Sequence, residues 1–280
     1  MTKRKTLYVS DLDGTLLNSS SVLSDYTIKT LNGVIADGAM FTIATARTPA
    51  TVVQIMNGMK TNLPYIVMAG CAMWNNAEKE YLSARTINPE LLPQLISIFN
   101  RHGNNPFVYH RNGNKIIVNH TEKMSDAERE FISPRISTPY KSLQTVGDNE
   151  LSDYRDDVML IFSMGSFSEL RLIADDIDAA DIPCSYHCYQ DIFDNEQGFI
   201  DLYKENTTKA AAIKELAMDV GAERIVVFGD NFNDISMMQI ADWSVAVDNA
   251  FPEVKKTANE VIGTNTDDSV AKWIRQDFYK

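Results

Sequence analysis

The two ends of this chain follow one grammar, and the middle does not. Near the start, Leu7-Tyr8-Val9-Ser10 is a short apolar run ending at Asp11. An amphipathic stretch follows from Ser24 to about Asp37, with Ile28, Leu31 and Ile35 on one side and Gly38 as its stop. Met40-Phe41-Thr42-Ile43-Ala44 is a second apolar run, Thr48-Pro49 opens a helix to about Gly58, and Tyr65-Ile66-Val67-Met68 is a third run. Short, wholly apolar runs alternating with helices predict a parallel sheet buried on both faces. The pattern returns later. Lys209 to Val220 reads as a helix, Arg224 to Phe228 as a strand, Asn231 to Ile240 as a helix and Trp243 to Val247 as a strand, with further helices at Pro252 to Asn259 and Asp267 to Asp277.

Between these flanks lies a different pattern. A helix at Pro89 to His102 precedes two short strands, with Asn112-Gly113 as the hairpin signal between them. A helix near Ser125 to Ile132 and a polar Ser/Thr/Pro stretch follow, then a strand at Val158 to Phe162, a helix at Ser168 to Ala179 and strands near Cys184 to Gln190. The predicted class is therefore α/β: a Rossmann-like parallel-sheet core from residues 1–83 and 196–280, with an inserted α+β domain over 84–195.

Composition narrows the functional classes. With 26 basic and 38 acidic residues, the net charge is −12. That balance argues against nucleic acid or an anionic membrane surface as partner. No apolar run is long enough to span a bilayer, and Leu7-Tyr8-Val9 is too short for a signal-peptide core. Three cysteines, Cys71, Cys184 and Cys188, do not read as a disulfide framework. A cytoplasmic location is expected. Nothing in the sequence specifies an oligomeric state.

Four polar clusters fall at the carboxyl ends of the predicted parallel strands or in loops beside them, the edge where open α/β sheets bind ligands. They are Asp11-Leu12-Asp13-Gly14-Thr15, Thr45-Ala46-Arg47, Lys209, and Gly229-Asp230-Asn231-Phe232-Asn233-Asp234. Two carboxylates two residues apart repel unless a cation lies between them, and magnesium suits an all-oxygen site. Gly14 lets the backbone turn and present N–H groups to an anion. Asp230 to Asp234 add oxygen ligands. A calcium loop is excluded, because its sixth and twelfth positions would be Ile235 and Ala241. Thr45 can donate a hydroxyl to a phosphate oxygen, although a helix-start threonine explains it equally. A lysine such as Lys209 is most often solvated, yet beside aspartates it can bind phosphate.

These motifs together resemble the haloacid dehalogenase-like hydrolase superfamily, in particular its Cof-type sugar-phosphatase branch. Asp11-Leu12-Asp13-Gly14-Thr15 matches the first motif, and Gly229-Asp230-x-x-Asn233-Asp234-x-x-Met237 the fourth. The resemblance implies that Asp11 is a nucleophile forming an aspartyl phosphate, and that Asp13 is the general acid and base. It implies that the backbone of Leu12, Gly14 and Ala46, with Thr45 and Lys209, binds the phosphoryl group. Asp11, the Asp13 carbonyl and Asp230 would hold magnesium, supported by Asn233 and Asp234. The insertion would be a cap that selects a small phosphorylated metabolite, sugar phosphates foremost. Three departures stand out: Ala46 for the usual glycine, Ala69-Gly70-Cys71 for Asn-Gly-Ala, and Ala210 after Lys209. A phosphomutase on the same scaffold and a non-enzymatic phosphosugar sensor are the alternatives. Cys184-x-x-His187-Cys188, the scattered histidines, the tryptophans and the acidic pairs Asp156-Asp157 and Asp175-Asp176 read as structural or solvated.

Overall fold

The computed structural model describes residues 4–136, 138–153, 157–191 and 194–280, so Asp156 lies outside the described residues. Two compact units divide the chain, one made of Met1–Ser83 with Thr208–Lys280 and the other of Ala84–Thr207.

The first unit opens with β1 (Thr6–Ser10), α1 (Asp25–Ala36), β2 (Met40–Ile43), α2 (Pro49–Ile55) and β3 (Tyr65–Val67). Ser24 caps α1 by accepting the Thr27 N–H at 3.0 Å, and Pro49 begins α2. A short antiparallel ribbon follows β3, made of β4 (Ala72–Asn75) and β5 (Glu80–Ala84). No strands are expected there from the sequence, because strands of four and five residues around a polar turn carry little periodicity.

The second unit contains α3 (Leu92–Arg101), β6 (Phe107–Asn112), β7 (Lys115–His120), α4 (Asp126–Ile136), β8 (Lys141–Thr145), β9 (Val158–Ser166), α5 (Phe167–Ala179), β10 (Cys184–Gln190) and β11 (Gln197–Lys204). The chain then returns to the first unit with α6 (Lys209–Asp219), β12 (Arg224–Gly229), α7 (Ile235–Ile240), β13 (Trp243–Ala246), α8 (Pro252–Thr257), β14 (Glu260–Val261) and α9 (Ser269–Phe278).

In the first unit, five strands run parallel in the order β14-β13-β12-β1-β2. Leu7, Val9, Phe41, Ile43, Val226, Val227 and Phe228 are fully buried, as a sheet covered on both faces requires. The strand order reverses at β1, whose neighbours are β12 and β2. A crevice at such a switch point is where this architecture receives ligands.

The sheet of the second unit runs β10-β11-β9-β6-β7-β8 and is antiparallel except for the β7–β8 pair. Leu95, Phe99, Leu170 and Ile173 from α3 and α5 pack with Val108, Ile161, Ile200 and Leu202 on one face of it. The other face carries Tyr109, Phe162 and Phe199.

Three expectations shift. The hairpin loop, expected as Arg111-Asn112-Gly113-Asn114 around the Asn112-Gly113 signal, shortens to Gly113-Asn114, since Arg111 pairs with Ile116, Asn112 pairs with Lys115, and Gly113 takes φ 61°. The polar Ser/Thr/Pro stretch, to which no element is assigned from the sequence, contains β8. The expected boundary at 195/196 moves to 207/208, because β11 pairs with β9 and β10.

Candidate active site

Asp11 stands at the carboxyl end of β1, with its N–H on the Phe228 carbonyl at 2.9 Å, so it continues the ladder to β12 before the chain turns away. The turn closes when the Leu17 N–H reaches the Leu12 carbonyl at 2.9 Å. Gly14 supplies the bend with φ +76°, and a Cβ there would lie 2.4 Å from an oxygen of Asp230. The glycine is therefore required twice, by conformation and by space. Thr15 donates to Asp230 Oδ1 at 2.6 Å, which ties the two acidic loops together.

Lys209 is the first residue of α6, and it is buried rather than solvated, with 2% exposure. Its ammonium donates to Asp11 Oδ1 at 2.5 Å and to Asp234 Oδ1 at 2.7 Å. The close approach of Gly70 to the Thr208 carbonyl fixes the start of this helix, since a Cβ on Gly70 would sit 2.2 Å from that oxygen. Thr208 then caps the helix by accepting the Ala211 N–H at 3.0 Å. The other oxygen of Asp234 accepts the N–H groups of Asp230 and Asn231 at 3.0 and 3.1 Å, which shapes the loop after β12.

Asp11, Asp230 and Asp234 each present an oxygen within 4.8 Å of the others. Burial pushes Asp11 well above the usual carboxylate range; Lys209 opposes this, while Asp234 and Asp230 reinforce it. Burial likewise raises Asp230 to about 6, with the Thr15 bond opposing and Asp234 adding. For Lys209, burial alone would lower the pKa, but Asp11 and Asp234 outweigh it and hold the ammonium charged. Three carboxylates thus face one ammonium, and the excess negative charge suits a divalent cation. The donor set agrees: all the ligand atoms are hard oxygens, and the buried Asn233 Oδ1 has no hydrogen-bond partner among the described residues.

Thr45 is buried at 1% exposure, and its Oγ1 accepts the Arg47 N–H at 3.1 Å, leaving the O–H to donate. Ala46 beside it is exposed. Ala69 is buried with φ 55° and donates its N–H to the Thr45 carbonyl at 2.9 Å, so this position braces the Thr45 loop through its backbone. Leu12 is fully buried.

Two participants have no assigned role in the sequence reading. Arg47 grips Asp13 through Nε at 2.7 Å and Nη2 at 2.6 Å. Asn249 donates to the Gly14 carbonyl at 2.7 Å. Arg47 is visible in its cluster, but its partner lies 34 residues away. Asn249 carries no local signal at all. Cys184 and Cys188 lie on β10 in the second unit with raised thiol pKa values, chiefly from burial, as expected of structural cysteines.

The chain belongs to the haloacid dehalogenase-like hydrolase family, whose model matches residues 8–274. It is a phosphatase of that family. Among its relatives are a pyridoxal phosphate phosphatase of Escherichia coli, 28% identical and matched over 94% of this chain and 95% of its own length, and a 5-amino-6-(5-phospho-D-ribitylamino)uracil phosphatase of Bacillus subtilis, 26% identical over 96% and 94%. The fold is shared with a haloacid dehalogenase-like hydrolase from Bacteroides thetaiotaomicron, with a TM-score of 0.78 at 23% identity, covering 98% of this chain and all of the other.

Proposed function

We propose that this phosphatase is magnesium-dependent and hydrolyses small phosphate monoesters, sugar phosphates foremost, through an aspartyl-phosphate intermediate. One observation carries the reading: Asp11 is buried at the sheet's ligand-binding edge and, among the described residues, is held by Lys209 through Oδ1 alone. Oδ2 is the atom that attacks phosphorus. As the P–O ester bond breaks, Asp13 gives its proton to the leaving oxygen. Asp13 then takes a proton from water, whose oxygen attacks phosphorus, and Asp11 leaves as carboxylate with inorganic phosphate as product.

Asp11, the Asp13 carbonyl and Asp230 would hold the magnesium ion, with Asn233 and Asp234 as support. When bound, it neutralises charge on the phosphoryl oxygens. Lys209, the Thr45 hydroxyl and the backbone N–H groups of Leu12, Gly14 and Ala46 position the same group. The test is phosphate release from a hexose phosphate with and without magnesium, in wild type and in Asp11→Asn. Full activity of the variant sinks the nucleophile. Isomerised sugar phosphate without free phosphate would point to a mutase.

A further inference from the structure

The turn after β13 touches both acidic loops yet contributes none of the three clustered carboxylates. It runs from Val247 to Ala250 and closes with the Ala250 N–H on the Val247 carbonyl at 3.0 Å. From its tip the Asn249 amide donates to the Gly14 carbonyl at 2.7 Å. Two residues later the Phe251 N–H reaches the Asp230 carbonyl at 3.0 Å. Asn249 Oδ1 in turn accepts the Asn265 N–H at 2.9 Å, and the Asn265 amide donates to the Leu17 carbonyl at 2.7 Å. The orientation of Asn249 follows from chemistry: its oxygen must be the atom that accepts a backbone N–H, so its nitrogen faces Gly14. Asn265 is held in a turn of its own, where Thr264 donates its N–H and hydroxyl to Asp267 Oδ2 at 3.2 and 2.7 Å.

Asn249 is exposed, while Val247 and Ala250 beside it are buried and anchor the turn. Water could satisfy an exposed carbonyl almost as well, so the Asn249 bond adds little to stability. What it adds is direction. Asp13 (φ −74°, ψ 124°) and Gly14 (φ 76°, ψ −8°) have the dihedrals of a type II turn, and glycine leaves the backbone there loosely determined. The direction of the Gly14 carbonyl is set by ψ of Gly14. The same angle aims Thr15, whose hydroxyl donates to Asp230 Oδ1 at 2.6 Å. Holding the carbonyl therefore fixes how the Asp13-Gly14 turn faces Asp230, and Phe251 holds Asp230 from the same loop.

We propose that Asn249, backed by Asn265, is a positioning residue for the cation site: it sets the Asp13 carbonyl against Asp230 at the spacing magnesium requires. The inference rests on the magnesium reading above. Magnesium demands near-ideal octahedral geometry, whereas calcium accepts longer and more variable bonds. A misaimed carbonyl should thus weaken magnesium far more than calcium. That difference separates loss of aim from a general loosening of the fold.

The test measures magnesium and calcium binding calorimetrically on wild type and two variants, with Tm followed alongside. Asn249→Ala removes the amide. Asn249→Asp keeps the shape and the acceptor but loses the donor, and its added charge would by itself attract a cation. Both should weaken magnesium binding by about tenfold or more, as loss of a partner behind a metal ligand does, with a smaller change for calcium and an unchanged Tm. Unchanged magnesium affinity in Asn249→Ala, or tighter binding in Asn249→Asp, overturns the positioning role and leaves the magnesium reading intact. Parallel loss of both cations with a falling Tm would give Asn249 a structural role alone, and overturns it too. A wild type that binds no magnesium overturns the magnesium reading and this inference with it.

Discussion

Arg47 holds Asp13 with two parallel charge-assisted hydrogen bonds, 2.7 and 2.6 Å long, from a loop 34 residues further along the chain. The pair is partly exposed, with side-chain accessibilities of 30% and 47%, so it contributes little to stability. Its value is geometric, because a fork fixes a carboxylate in a way a point charge cannot. We therefore expect Arg47→Lys to lower kcat by about tenfold with little change in Tm. The loss should be small for aryl phosphates with acidic leaving groups, which need no proton, and large for alkyl phosphates. An equal loss on both series would show that Arg47 does not act through Asp13.

Gly14→Ala should disable the site and weaken the fold. The new methyl would lie 2.4 Å from an Asp230 oxygen on a backbone with φ +76°. Left-handed alanine costs about 1–2 kcal/mol before the clash is counted. A lower urea midpoint together with a loss of magnesium affinity is the expected outcome. A variant with wild-type affinity would show that Asp230 is not held by this turn.

The magnesium site proposed on the acidic cluster predicts a definite pH dependence. Asp230 titrates at about 6 in the fold, above its unfolded value, so its contribution to stability is present at low pH and is lost as pH rises towards 6. Asp11 shifts in the same direction. A divalent cation competes with those protons. Magnesium should therefore raise Tm more at about pH 7.5 than at about pH 4.5, as seen by differential scanning fluorimetry with and without chelator. Equal shifts at both values would contradict the assignment of these carboxylates as ligands.

His120 gives the second unit its own pH dependence. The ring is fully buried, and both nitrogens face carbonyl oxygens, Nδ1 that of Thr121 at 2.8 Å and Nε2 that of Asn105 at 2.9 Å. Only an imidazolium can donate from both. Burial opposes that charge, but Glu128, with the two carbonyls, prevails and raises the pKa. The stabilisation is complete below the unfolded value and disappears as pH rises through the folded one. Glu128→Gln should thus cost more stability at about pH 6 than at about pH 9, measured by urea denaturation. A gap that does not narrow at high pH would refute it.

The parallel core and both acidic loops were legible because their signals are local: apolar runs that end in aspartate, with glycine where the backbone must turn. Lys209 was harder. A lysine at a helix start looks solvated, and its burial depends on Gly70 admitting the Thr208 backbone, a contact between distant residues. The same holds for β11, whose partners β9 and β10 define its unit more firmly than its own residues do. Arg47 and Asn249 act on groups 34 and 235 positions away, and no spacing rule reaches that far.

Asp234 answers to three obligations with one short side chain. One oxygen receives Lys209, and the other receives two backbone N–H groups of its own loop. Asparagine would keep one acceptor oxygen and turn a donor towards either the ammonium or the amides. Glutamate would carry the charge a bond too far into a space already closed around Gly229, where even a methyl would meet the Asp234 Cβ at 2.6 Å. Serine would reach neither set. The position is thus a fixed point for protein engineering: a library randomised there should return aspartate alone among active clones, while its exposed neighbour Phe232 is left open to redesign.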